Sequence, residues 1–110
     1  MSRRIMVVAV TLVLLAVAGA AHALEEIPLI IENNRFAPDE LKVKAGAPFV
    51  IVVTNKDKSP EEFESKELRI EKVVPPGKTL KINVRALKPG TYPFIGEYHQ
   101  QTAKGRIVAE

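Results

Sequence analysis

After residue 23 the sequence consists of short runs in which apolar and polar residues alternate, and Gly or Pro separates one run from the next. In residues 79–85, for example, Leu80, Ile82 and Val84 fall on one face of an extended chain, and the residues between them are polar. No apolar stripe with the helical repeat follows residue 23. The alternation therefore restricts this part of the chain to β-structure.

Eight runs of this kind predict eight β-strands. They lie at residues 27–32, 40–43, 48–54, 62–65, 68–72, 79–85, 90–96 and 104–108. Gly46, Gly77 and Gly90 stand in the segments between them, where a tight turn can require a positive φ. Short strands spaced by such turns predict an all-β fold, a Greek-key β-sandwich.

Residues 1–23 resemble a secretory signal. Arg3 and Arg4 precede an apolar run at 5–18, and the segment ends in Ala21-His22-Ala23, a typical A-x-A cleavage site. The apolar run is shorter than the roughly 20 residues that cross a membrane. We predict a signal peptide at 1–23, a domain at 24–110 and export to the periplasm. An uncleaved N-terminal anchor is the alternative that the sequence leaves open.

Composition narrows the class of protein further. Cleavage after residue 23 leaves one His, no Cys and no Met, so the exported domain has neither disulfides nor soft sulfur ligands. Removing Arg3 and Arg4 from 16 basic residues leaves 14 against 13 acidic ones, a net charge near +1. The basic residues are scattered and are not interleaved with the six aromatics, so we expect no nucleic-acid partner.

The acidic stretch at residues 61–67 is the first candidate for chemistry. Carboxylates at this density bind iron or divalent copper, especially when an imidazole is added. If Phe63 points into the core, Glu61 lies on its side of the strand, and Glu62 and Glu64 lie together on the other. A site then uses either Glu61 or the pair more easily than all three. The competing interpretation is a solvated acidic face with neighbouring lysines as partners.

The second candidate is His99, the only imidazole after residue 23. Glu97 stands two residues before it and would share its face for as long as the strand continues. Imidazole binds copper, iron and zinc, although a single His in a loop is often just solvated. No acid-base dyad with a nucleophile and no Ser-His-Asp order can be assembled around this single His, so we predict that the protein is not an enzyme.

Taken together, these residues resemble the cupredoxins, and more closely the iron-uptake-associated (EfeO-type) cupredoxin-like family. The resemblance rests on Phe36-Ala-Pro-Asp-Glu-Leu-Lys-Val-Lys-Ala-Gly, Glu62-Phe-Glu-Ser, Val74-Pro-Pro-Gly-Lys, Lys88-Pro-Gly-Thr-Tyr, Glu97-Tyr-His and Thr102-Ala-Lys-Gly. The order and spacing of these motifs over nearly all of residues 24–110 carry the resemblance. It implies a Greek-key sandwich with a metal site at one end.

A blue-copper site has two His, one Cys and an axial Met. Of these, the resemblance matches only the last His, as His99. The first His falls near Glu61 or Glu62, the Cys near Phe94 or Gly96, and the Met near Ala103 or Lys104. The sequence therefore excludes a blue-copper centre.

The resemblance implies instead a periplasmic protein that holds copper or iron and acts beside an iron permease or another iron-uptake protein. Its expected ligands are Glu62, Glu64, Glu97 and His99, with Glu61 or Glu67 in reserve. The alternative hypothesis is a sandwich without metal that serves as a binding module or assembly partner of a membrane protein.

Overall fold

The computed structural model describes residues 2–13 and 23–110. Residues 2–13 have no regular secondary structure. The described residues form nine strands and one 3-10 turn. The strands are β1 (Glu25–Glu32), β2 (Arg35–Ala37), β3 (Glu40–Val43), β4 (Phe49–Asn55), β5 (Glu61–Ser65), β6 (Ile70–Val74), β7 (Thr79–Val84), β8 (Gly90–Gly96) and β9 (Lys104–Ala109), with the 3-10 turn at Glu97–His99.

These strands build two sheets that pack face to face. One has four strands in the order β2-β1-β4-β7, and the other has five in the order β3-β9-β8-β5-β6. β1 runs parallel to β4 and β3 runs parallel to β9, whereas the remaining neighbours are antiparallel. The chain passes from one sheet to the other several times, so the predicted all-β sandwich is confirmed.

Two details of the strand prediction are wrong. The predicted strand at 68–72 is β6, which begins only at Ile70. Residues 66–69 form a turn, in which the Arg69 amide donates to the Lys66 carbonyl and Arg69 has a φ of 56°. The second error is the omission of β2. The other seven predicted strands agree with the observed ones to within two residues at either end.

The missed strand β2 pairs with β1 through a two-residue hairpin turn. Asn33 and Asn34 both have positive φ values, 55° and 58°, as a tight hairpin turn with the twist of the strands requires. The two carboxylate oxygens of Asp57 accept hydrogen bonds from the Asn33 and Asn34 amides, at 2.8 and 2.9 Å. The Asn-Asn dipeptide was therefore the sequence signal for this hairpin.

The core between the sheets centres on three aromatic rings. Phe36, Phe63 and Phe94 come from β2, β5 and β8, and each is at most 5% exposed. The Phe63 and Phe94 rings stack with centroids 4.9 Å apart, and Phe36 meets both rings edge-on. Phe63 thus fixes which residues of β5 face the interior.

The predicted signal peptide falls partly on residues outside the described ones, namely 1 and 14–22, which include Ala21 and His22 of the predicted cleavage site. None of the helical segments in the described ranges is long and apolar enough to cross a membrane. The signal therefore remains a prediction from the sequence.

Replacing Phe63 with Ala should lower the free energy of unfolding by about 3–5 kcal/mol, because it empties a fully buried site at the centre of the aromatic cluster. Urea unfolding of residues 24–110, which contain all nine described strands, measures the change. Val73→Ala on the exposed face of β6 is the control and should change stability by no more than about 0.5 kcal/mol. Equal losses in both variants would contradict this account of the core.

Candidate metal centre

The predicted ligands that belong to β5 lie on two opposite faces of that strand. Glu61, Phe63 and Ser65 point to the interior and are each at most 1% exposed. Glu62 and Glu64 lie on the outer face of the five-stranded sheet. The alternation expected from the sequence therefore holds, and Glu61 is separated from the pair.

Glu61 is a buried carboxylate with three donors. Its Oε1 accepts hydrogen bonds from the backbone amides of Glu62 and Tyr98, both at 3.0 Å. His99 donates from Nδ1 to Glu61 Oε2 at 2.5 Å. The His99 side chain is 27% exposed, against 1% for Glu61. Three donors around one carboxylate offset the desolvation that burial of a charge would otherwise cost.

The Glu61 side chain fills a space that Gly96 leaves open. A Cβ at Gly96 would lie 2.6 Å from the Glu61 carboxyl carbon and 2.6 Å from the Ala103 Cβ. Gly96 has a φ of −90°, so the lack of space and not the backbone conformation requires glycine here. Glu61, Gly96, His99 and Ala103 therefore meet at one end of the sandwich. These are positions where the resemblance placed the His, Cys, His and Met of a blue-copper site.

Glu97 does not share a face with His99, because the strand that this arrangement would need does not continue past Gly96. β8 ends at Gly96, and Glu97–His99 form a 3-10 turn. The Thr102 and Ala103 amides both donate to the His99 carbonyl, at 3.1 and 2.8 Å, so the chain turns back into β9. This tight return directs the His99 imidazole to Glu61, and Glu97 interacts instead with Glu64.

The outer face of β5 carries a second group of carboxylates. Oxygens of Glu62, Glu64 and Glu71 lie within 4.8 Å of one another. A hydrogen bond with the Glu97 carboxyl, burial, and the charges of Glu97 and Glu71 raise the pKa of Glu64, while Lys66 acts in the opposite direction. Glu67, the reserve ligand, lies exposed in the turn between β5 and β6.

Two residues near these groups were not among the predicted site residues. Glu71 belongs to β6 and lies directly opposite Glu64, a pairing that only the register between the two strands reveals. Tyr98 is 49% exposed. The partial desolvation of its phenol and, as the next largest cause, the charge of the Glu62 carboxylate raise the pKa of Tyr98. The phenol therefore extends from the turn that carries His99 toward the Glu62 carboxylate.

These groups offer two different donor sets. Glu61 and His99 provide one carboxylate oxygen and one imidazole nitrogen, a combination that suits Cu(II) or Fe(III). Glu62, Glu64 and Glu71 provide oxygen alone. Neither set contains sulfur, so the residues present do not fit a blue-copper centre.

Comparison with known proteins supports the fold. A sequence model of the cupredoxin-like domain family matches residues 4–109. The uncharacterized protein RP394 of Rickettsia prowazekii (strain Madrid E) is 36% identical over 83 residues, which are 76% of this chain and 66%, just under two thirds, of that protein.

Solved structures show the same architecture. Auracyanin A, a blue copper protein of Chloroflexus aurantiacus, gives a TM-score of 0.68 at 15% identity over 80% of this chain and 100% of its own. The metal-binding domain of the Cu(I)-exporting P-type ATPase CopA of Streptococcus pneumoniae D39 gives 0.66 at 17% identity, over 77% of this chain and 84% of its own. At these identities the likeness concerns the fold alone.

Gly96→Ala should destabilise the protein by about 1–3 kcal/mol, because the added methyl group meets Ala103 and displaces the Glu61 carboxylate. Chemical denaturation measures the loss. The double variant Gly96→Ala/Ala103→Gly should recover part of it, since one of the two contacts is removed. Wild-type stability in Gly96→Ala would show that Glu61 does not need this space.

Proposed function

The chain belongs to the cupredoxin-like domain family, and from that membership we propose that it is a metal-binding protein whose site consists of Glu61 and His99. The convergence of these two side chains at the loop end of the sandwich carries the proposal. When bound, a Cu(II) or Fe(III) ion would be held by the Glu61 carboxylate and the His99 imidazole. Copper is the first expectation, since copper proteins share the fold.

The chain's own residues prepare this site. Backbone amides of Glu62 and Tyr98 hold Glu61 Oε1, so that Oε2 faces the imidazole. The 3-10 turn holds His99 in place through the bonds that its carbonyl accepts. Binding of a metal ion by Glu61 and His99 would release the proton that Nδ1 donates to Oε2, because metal ligands bind in their deprotonated form.

A titration of residues 24–110 with Cu(II), and with Fe(III) supplied as a weak chelate, tests the proposal by calorimetry at neutral pH. We expect one-to-one binding that weakens by at least about tenfold in His99→Ala and in Glu61→Gln, as the loss of a directly bound ligand implies. The binding heat should depend on the ionisation enthalpy of the buffer, because a proton is released. Glu32→Gln, an exposed Glu of the other sheet, is the control and should bind as the wild type does.

The Glu61 and His99 pair also favours a second function. Glu61 already has three protein donors, so the pair can serve as a structural link without metal. The protein would then act as a binding module or assembly partner of a membrane protein. Absence of binding in the titration, with no rise in melting temperature on adding either metal, would support this second function. Unchanged metal affinity in both His99→Ala and Glu61→Gln would overturn the metal-binding function.

We further propose that the chain is one of the iron-uptake-associated (EfeO-type) cupredoxins, exported to the periplasm, where it supports a membrane iron permease. The A-x-A pattern at residues 21–23 and the sulfur-free ligands support this proposal. Such a protein transfers or buffers metal and needs no catalytic activity of its own.

Export and iron supply can be tested together in cells. We expect the exported protein to begin at Leu24 by mass spectrometry. Cells without it should grow more slowly when iron is limiting, and the wild type but not His99→Ala should restore growth. A protein that keeps residues 1–23 would indicate that this segment serves as an uncleaved membrane anchor. Full restoration of growth by His99→Ala would show that the metal site is not needed for iron uptake.

A further inference from the structure

One side of the sandwich is open between the edge strands of its two sheets. β6 ends the five-stranded sheet, β7 ends the four-stranded one, and a short turn at residues 75–78 joins them. The two strands border a hollow of about 760 Å³, which we call the β6–β7 groove. The residues that line it include Lys66, Arg69, Ile70 and Lys72 on the β6 side and Ile82 and Asn83 on the β7 side.

The inner face of β6 is uncovered where it borders the groove. Lys72 lies directly opposite Phe63, and Ile70 lies opposite Ser65, so each shares a face with its partner. Phe63 and Ser65 are at most 1% exposed, whereas Ile70 is half-buried and Lys72 is exposed. The four-stranded sheet therefore does not extend over this part of β6, and one more strand beside β7 would cover it.

Both strands that border the groove have a free hydrogen-bonding edge. In the part of the chain that the structure describes, β6 pairs with β5 alone and β7 pairs with β4 alone. Alternate amides and carbonyls of each strand therefore point away from its sheet. β7 is the longer of the two, with six residues against five. It provides an edge on which an extended segment of another chain can add a strand.

The groove carries an excess of positive charge. Lys66, Arg69 and Lys72 line it, and none of them forms an ion pair with another described residue. A fourth basic residue of the groove, Lys81, pairs with Glu26. Three basic side chains without an ionic partner favour an anionic occupant.

The carboxylates that border the groove belong to the other face of the sheet. Glu64 and Glu71 lie opposite each other on the outer face, whereas Lys72 is on the inner one. A segment that adds to β7 would approach the inner face of β6 and would meet Lys72 instead of Glu71. The charges therefore favour an acidic segment on the β7 side of the groove.

Arg69 occupies a backbone position that a basic side chain does not favour. Its φ is 56°, in the left-handed region, which glycine adopts at lower cost. The strained turn nevertheless places a guanidinium at the groove. A role in binding would compensate for that strain.

We propose that the β6–β7 groove binds an extended acidic segment of a partner protein, which adds to β7 as a fifth strand of the four-stranded sheet. The backbone of the segment would pair with β7, and its inward side chains would cover Ile70. Its carboxylates would pair with Lys66, Arg69 and Lys72. A second copy of this chain that presented the same edge would bring like charges together, so the charges disfavour it as the occupant.

This surface is independent of the metal site. Glu61 begins β5, whereas the groove lies at the other end of that strand, beside Ser65. His99→Ala should therefore leave the binding of an acidic segment unchanged. Failure of metal binding and failure of the groove are separate results.

The probe is a fluorescein-labelled peptide of about seven residues, an ordinary strand length, in which Glu alternates with Val. Fluorescence anisotropy measures its binding to residues 24–110. We expect saturable one-to-one binding that weakens at least about threefold when NaCl rises from about 0.02 M to about 0.2 M. The matched peptide with Lys in place of Glu should not bind.

Two variants test the basic side chains. Lys72→Glu should weaken binding of the Glu peptide by at least about tenfold, because it reverses the charge on the inner face of β6. Arg69→Gly should weaken binding without lowering the melting temperature, since glycine fits the left-handed turn. Lys42→Glu makes the same charge change on β3, the other edge strand of that sheet, and should bind as the wild type does.

Hydrogen exchange distinguishes strand addition from charge attraction alone. When the Glu peptide binds, alternate amides of β7 should exchange more slowly. Binding without slower exchange in β7, or equal affinity of Lys72→Glu and the wild type, would overturn the proposal. Absence of saturable binding would also overturn it, and would show that the lysines only protect a free edge against aggregation.

Discussion

The hydrogen bonds of the Glu61 carboxylate join β5 to the loop after β8, and the geometry of this end of the sandwich depends on them. One oxygen binds the Tyr98 amide and the other binds the His99 imidazole, so a single buried side chain holds the loop in two places. The absence of a side chain at Gly96 makes room for this carboxylate. Changing any one of these residues therefore changes the environment of the others.

Neighbouring residues of β5 lie in opposite environments because a strand turns alternate side chains to opposite faces. Glu61 faces the core and is fully hydrogen-bonded, whereas Glu64 faces outward and meets other carboxylates. One short acidic sequence thus gives a stable buried group and a destabilised outer one. Natural proteins retain local conflicts of the second kind mainly where a function compensates for them.

The sequence predicts the sheets well because alternation is a local property. The inward direction of Phe63 and the split between Glu61 and the outer pair both follow from it. The 3-10 turn at Glu97–His99 could not be predicted in this way, because hydrogen bonds to the His99 carbonyl from residues beyond the strand create it. Glu71 was missed for a related reason, since strand register depends on the whole sheet and not on β6 alone.

The lack of sulfur determines which chemistry this end of the fold can support. Rapid one-electron exchange at a cupredoxin copper depends on a thiolate, and here the Glu61 carboxylate occupies the space beside Gly96 where a side chain from that position would lie. Oxygen and nitrogen ligands favour the oxidised states of copper and iron over the reduced ones. A metal ion held by Glu61 and His99 would therefore favour its oxidised state, which suits binding and delivery better than rapid electron transfer.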